Sequence, residues 1–347
     1  MSKVEYPAKQ AGFTLIEVLV AVAVTLIIMG AVFGLLMGGQ DSFDREHEVV
    51  DMLTSTRSGV QMLDRDLSMA GYRTPPPSSI LWNDGGGIQP DEVTIVYADP
   101  NVAIGRPLQC GGAGAGGGGG ACGTIGQSST LYLEVESLDP APANAADAYQ
   151  QGMVLMAVET QDCNGDGLVG LYPFHVTQPP TVTSANGQST LNVNHNPGTL
   201  GSDLNPPGGF NDQVREDCAV VGRFHVITYR VSPPPPVGNP TLERRDLTEG
   251  TEWIPVSHNV ENLQVRYGIG EDANLVDAPA ITPLDDPATW INRVGFTITG
   301  RSESVNLKGA SEGVFAAEDT YIRKSISSQV ALRNVVAATA NRVAMLP

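Results

Sequence analysis

Apolar and polar positions follow three successive patterns along the chain. Between Val18 and Gly39, 22 residues, the only polar side chain is Thr25. A helix of that length, at about 1.5 Å per residue, covers roughly 33 Å, the thickness of a bilayer's hydrocarbon core. Next, Val49, Leu53, Thr56, Val60, Leu63, Leu67 and Ala70 recur in steps of four and three. That spacing predicts a single apolar stripe on a helix, with Asp51, Arg57, Asp64, Arg65 and Asp66 on its wetter faces. Together the two stretches predict one helix from about Phe13 to Ala70, its second half packed on a globular head. A homomeric coiled coil needs more heptads than these. Gly71 supplies a stop, and Pro75 to Pro77 forbid continuation.

After "TPPPSSILWNDGGG" the third pattern is alternation, which predicts strands. Candidates are Val93–Ala98, Thr130–Glu136, Met153–Glu159, Gly222–Val231, Thr241–Leu247, Val260–Tyr267, Arg293–Gly300 and Tyr321–Arg333. Val294, Phe296 and Ile298 share one face, opposite Arg293, Thr297 and Thr299; in the last strand Ile322, Ile326, Val330 and Leu332 share a face. An antiparallel sheet covered on one side follows. "SPPPPVGNP" reads as a hairpin loop, since four prolines cannot sit in a ladder. Asp286-Pro287 reads as the N-cap and first turn of a short helix carrying Trp290. The fold class is α+β: a long N-terminal helix on a β-rich antiparallel head.

Composition narrows the possibilities. With 41% hydrophobic residues in 347, the chain can build a core. The net charge of −18 provides no basic stripe for nucleic acid and fits a solvated acidic surface. The four cysteines, Cys110, Cys122, Cys163 and Cys218, form no C-x-x-C pair. An even count beyond a membrane span fits two disulfides in an oxidising compartment, with three pairings open. Cys110–Cys122 is the favoured pair, because "CGGAGAGGGGGAC" is a loop whose large backbone entropy a crosslink reduces.

"DCNGDG" fits the opening of a calcium loop, with Asp162, Asn164 and Asp166 presenting oxygens before Gly167. The bidentate glutamate of an EF-hand falls at Pro173, which excludes that motif. A partial calcium loop and an Asn-Gly, Asp-Gly turn joining two strands both remain, the turn being the commoner use of such dipeptides. "GASEG" matches G-x-S-x-G, but no histidine follows His258 to serve as base. The histidines at 47, 175, 195, 225 and 258 lack ligand spacing, and His225 reads as a packed core or edge residue of a strand. No phosphate-binding G-x-x-x-x-G-K-[ST] loop is present. Nothing here argues for an enzyme or a resident cofactor.

The chemistry of the N-terminus is more specific. Lys3 and Lys9 precede the apolar run, whereas Asp41, Asp44, Glu46 and Glu48 follow it with only Arg45 opposing, so the bulk of the chain is expected outside the cytoplasm. A secretory signal is cut after its apolar region; here the polar leader ends at Gly12, before it. Glu17 is a carboxylate within the apolar stretch, which costs on the order of 3 kcal/mol on insertion scales. The order Gly-Phe-Thr-Leu-Ile-Glu resembles the class III signal of type IV prepilins and type II secretion pseudopilins. The resemblance implies cleavage between Gly12 and Phe13 by a prepilin peptidase, N-methylation of Phe13, and pairing of Glu17 with the new amine of a neighbouring subunit. Low dielectric strengthens such a pair. A glutamate that snorkels to the headgroups is the plainer alternative. Gly30, Gly34, Gly38 and Gly39 line one side and favour close helix packing.

The second half adds "TLERRDL", "VENLQVRYGIG", "WINRVGFTITG" and "YIRKSISSQVALRN". Their order resembles PilW-type minor pilins. Removing twelve residues from 347 leaves 335, longer than a major pilin, and no cysteine pair brackets the C-terminus. The resemblance implies a leader at 1–12, a transmembrane or filament-core helix at 13–40, and its amphipathic continuation at 41–72. A Pro/Gly linker at 73–92 and a periplasmic or extracellular head at 93–347 follow. It further implies a minor pilin, inserted in the bacterial inner membrane with its N-terminus cytoplasmic and later found in a surface pilus. The implied partners are membrane lipid, other minor pilins, the major pilin and a tip adhesin. A pseudopilin of a secretion tip and a membrane-anchored calcium-dependent binding module are the other two readings.

Overall fold

The computed structural model describes residues 12–74, 79–87, 89–108, 130–160, 170–185, 188–196, 204–205, 219–233, 239–272, 274–279, 290–305, 311–312 and 320–335. A single helix, α1, runs from Leu15 to Met69, 55 residues, or about 82 Å at 1.5 Å per residue. It stops at the expected place. Gly71 takes φ +74°, which a side chain enters only with strain, and a Cβ there meets Ser79 Oγ and Val335 Cγ2 at 2.9 Å. The Gly71 N–H donates to Val96 O at 3.0 Å, and Tyr72 O accepts from the Ala98 N–H at 2.9 Å, tying the end of the helix to the sheet.

The strands in chain order are β1 (Ile80–Asn83), β2 (Glu92–Ala98), β3 (Thr130–Glu134), β4 (Val154–Glu159), β5 (Leu171–His175), β6 (Thr181–Ala185), β7 (Gln188–Asn194), β8 (Ala219–Gly222) and β9 (Phe224–Ser232). They continue as β10 (Thr241–Asp246), β11 (Ile254–His258), β12 (Val260–Ile269), β13 (Leu275–Val276), β14 (Ile291–Arg301), β15 (Ser311–Glu312), β16 (Thr320–Tyr321) and β17 (Arg323–Ala331). Two larger sheets, β1-β2-β9-β10-β11 and β13-β12-β14-β17, form the lobe nearer the helix. Two three-stranded sheets, β3-β7-β6 and β5-β4-β8, form a second lobe. Every strand pair is antiparallel, as expected of a meandering head.

The second half of α1 lies over β11, β14 and β17. Its stripe of Val60, Leu63, Leu67 and Ala70 meets Ile95, Tyr229 and Leu242 of one sheet and Val265, Val294 and Phe296 of the other. Close approach is set at Gly59, where a Cβ meets Leu242 Cδ2 at 2.9 Å and Ser257 Cβ at 3.3 Å. Polar ties flank this seam. Ser55 Oγ donates to His258 O at 2.8 Å, Ser328 Oγ donates to Asp64 at 2.9 Å, and Glu48 accepts from Ser304 Oγ at 2.6 Å and the Glu303 N–H at 2.8 Å.

Asp66 is a correction to the helical pattern: it is only 7% exposed and lies on the docked face. The stripe is wider than its apolar members because Leu63, Asp66, Leu67 and Ala70 share one side. A buried carboxylate needs partners, and Asp66 Oδ2 accepts from Tyr229 OH at 2.7 Å and Arg244 Nε at 2.9 Å. Burial and the adjoining Asp66 push the Tyr229 hydroxyl far above its ordinary range, which keeps it a donor.

Several strand boundaries also differ. Residues 73–92, expected as a linker, contain β1, whose Ile80 pairs with Ile95. The run from 219 to 232 crosses between lobes at Arg223, giving β8 to one sheet and β9 to another. Gly222 permits the crossing, since a Cβ there approaches Ile104 Cγ1 at 3.0 Å and Ala103 O at 3.2 Å. The strand from Thr130 ends at Glu134 in a 3₁₀ turn, and Tyr321 belongs to β16, apart from β17. β9 and β10 pair antiparallel with Ser232 facing Thr241, and most of "SPPPPVGNP", residues 234–238, lies outside the described residues. Val96, Ala98, Phe224 and Val226 pack against Met156 and Val158 and so connect the lobes. The proposed turn at Asp286-Pro287 lies outside the described residues, though Trp290 is buried in the main core.

Asp66→Asn leaves the Arg244 charge unpaired, with an expected loss of about 2–3 kcal/mol in urea unfolding of the detergent-solubilised chain, against about 1 kcal/mol or less for Asp64→Asn. Equal losses would refute the assignment of Asp66 as the buried anchor. In the same assay Gly59→Leu is expected to cost about 1–3 kcal/mol by overpacking, with Ser58→Leu, on the exposed side, close to neutral.

Candidate functional site

The residues singled out at the N-terminus, Gly12, Phe13 and Glu17, lie together at the start of α1. Thr14 is the N-cap, and Glu17 completes a capping box. Glu17 Oε2 accepts from the Thr14 N–H and from Thr14 Oγ1, both at 2.9 Å, and Thr14 Oγ1 accepts from the Glu17 N–H at 3.3 Å. The carboxylate therefore has partners in its own chain, a role the motif reading omitted although T-x-x-E is the sequence signature of such a box. The same bonds place it over the positive end of the helix dipole. They fix a negative charge within one turn of the Gly12–Phe13 bond.

Among the described residues none covers this segment. Every side chain described from Gly12 to His47 is exposed, Phe13 to 88%. A helix apolar on all sides is stable only where lipid or other apolar helices surround it. By length and composition α1 is able to cross a membrane. Positions 30, 34, 38 and 39 present glycines with open space where a Cβ would stand, so neighbouring backbones are able to approach closely there.

The remaining candidates fall differently. Cys110, Cys122, Cys163 and Cys218, and the calcium candidates Asp162, Asn164 and Asp166, lie outside the described residues. The strands on either side of the last three, β4 and β5, pair antiparallel with Val158 facing Leu171. Ser311 of "GASEG" sits on the short strand β15, facing Tyr321, rather than on a strand-to-helix elbow. His47 is exposed, 3.4 Å from Asp51, and His195 is buried. His225 is packed in β9, as expected, and its Nδ1 lies 2.7 Å from Asp246 Oδ2.

Residues 7–33 match the family model described as "Prokaryotic N-terminal methylation motif". The match takes in Gly12, Phe13 and Glu17 and the first part of α1, and leaves the head unmatched. Among solved structures it is similar to the type IV-like pilin TTHA1219 from Thermus thermophilus, at 10% identity and a TM-score of 0.30. That similarity covers 83% of this chain and 98% of the other. No curated protein sequence matches.

Proposed function

We propose that the chain is a minor pilin: a structural, priming subunit of a type IV pilus, made as a prepilin. The observation that carries this reading is an exposed apolar helix whose only charged residue before Asp41 is Glu17, the fifth residue after the Gly12–Phe13 bond. A prepilin peptidase cuts that bond and N-methylates Phe13. The amine so created carries a positive charge at the depth of Glu17. When the helix leaves the bilayer and packs among sister helices, Glu17 of one subunit meets the amine of the next and sets the stagger between them. Low dielectric makes a misplaced charge costly and a matched one favourable.

The reading extends to location and partners. The basic leader stays cytoplasmic, the helix spans the inner membrane, and the head stands in the periplasm before assembly. Other minor pilins, the major pilin and a tip adhesin are its partners in the filament. The PilW-type assignment within the superfamily rests on the order of the four C-terminal segments, and the length of the head suits a priming or capping position better than the repeating body of a filament.

Two measurements test this. The purified membrane protein is expected by mass spectrometry to begin at N-methylated Phe13; a chain still starting at Met1 would refute processing. Glu17→Ala is expected to be cut normally yet to abolish incorporation into filaments, scored by immunolabelling of sheared surface fibres. Incorporation at the wild-type level would reduce the segment to a plain membrane anchor.

A further inference from the structure

We propose that His225, Asp246 and Glu249 form a binding site for one divalent transition-metal ion of the zinc type. The site lies in the head, far along the chain from the assembly segment, and does not depend on the function proposed above. His225 is held near the start of β9, and Asp246 is the last residue of β10. The chain then closes a single turn, with the N–H groups of Glu249 and Gly250 both donating to Asp246 O at 3.1 Å. That turn brings the Glu249 carboxylate back over Asp246. One ligand atom from each of the three side chains lies within 4.8 Å of the other two.

Bonds of about 2.0–2.2 Å to zinc place neighbouring ligand atoms roughly 3–3.6 Å apart. His225 Nδ1 and Asp246 Oδ2, at 2.7 Å, are already near that separation. Asp246 is buried and His225 half-buried, whereas Glu249 is exposed and free to move the remaining distance.

Behind these three stand a carboxylate near the other imidazole nitrogen but beyond hydrogen-bond reach of it, a guanidinium and an aromatic ring. A ligating imidazole is oriented by a carboxylate on its other nitrogen. His225 Nε2 faces Asp99 Oδ2 at 3.9 Å, Asp99 is itself 3.5 Å from Arg223, and the Tyr97 ring stacks on the imidazole at 4.9 Å between centroids. The second oxygen of Asp246 is occupied, accepting from Thr248 Oγ1 at 2.7 Å and the Thr248 N–H at 3.0 Å, which leaves Oδ2 directed at His225. A neutral imidazole and two carboxylates carry a charge of about −2, which a divalent ion cancels. One nitrogen donor favours zinc-like ions over calcium or magnesium, which prefer oxygen alone. His225 follows the crossing at Arg223, so the ion would pin the end of β10 to the joint between the lobes.

A purely structural His–Asp pair does not require Glu249, and that residue decides the matter. The detergent-solubilised full chain, stripped with a chelator, is dialysed against Zn²⁺ alone and its metal content and unfolding midpoint are measured. Wild type is expected to hold one zinc per chain more than His225→Gln. Glu249→Gln is expected to weaken that site at least tenfold and to abolish the zinc-dependent rise in midpoint. Equal zinc content and affinity in wild type and both variants, or no zinc in wild type, overturns the proposal. If His225→Gln does not fold, Glu249→Gln, on an exposed turn, decides it alone.

Discussion

The structure depends on where along one helix the apolar surface changes from the whole circumference to a single side. Up to about residue 47 every face of α1 is exposed among the described residues. From Met52 onward one face is buried against two sheets at once, so the helix is a brace across β11, β14 and β17. Each fully buried Leu or Val on that seam contributes on the order of 1.5–3 kcal/mol, enough in sum to hold the head rigidly to the helix. The first half of α1 gains nothing of the kind from the described residues.

That division explains why the buried polar contacts concentrate where they do. Apolar packing alone tolerates sliding of a helix along a sheet. Asp66 against Tyr229 and Arg244, with Ser55 against Ser257 and His258, makes sliding expensive because a displaced carboxylate would be buried without partners. Gly59 acts in the same sense by allowing contact at only one closest point. The orientation of the head relative to the protruding segment is thereby specified, whatever surrounds that segment.

The helix was legible in the sequence to within two residues at either end, because long periodic runs and a Gly-then-Pro stop are local signals. The alternating strands were legible for a related reason. Asp66 was not: a charge on a helical stripe is assigned outward unless its partners, 163 and 178 residues away, are known. Nor was β8: the expected strand began at Gly222, and the short run Ala219–Gly222, whose buried Ala219 and Val221 fall out of phase with Phe224 and Val226, belongs to a different sheet. The hairpin of Thr181–Ala185 and Gln188–Asn194 did carry a signal, Asn186-Gly187 between alternating runs. Pro173 obscured β5, where an edge position lets proline sit beside Met156 without a lost ladder bond. The three members of the metal cluster, 21 and 3 residues apart, match no motif and meet only because β9 and β10 pair and a turn follows.

The capping box at Thr14 bears on how a charge is used inside an apolar helix. A free glutamate side chain has several rotamers and, in lipid, a strong tendency to reach for the headgroups. In α1 the two bonds from Thr14 hold Glu17 at the first turn, so the rotamer entropy is lost before any second chain arrives. Both bonds fall on Oε2, and a carboxylate has about four acceptor positions over its two oxygens. Capping therefore leaves acceptor positions open to an external cation. A side chain already fixed in place gives an intersubunit ion pair a defined geometry, which a flexible glutamate at the same depth does not.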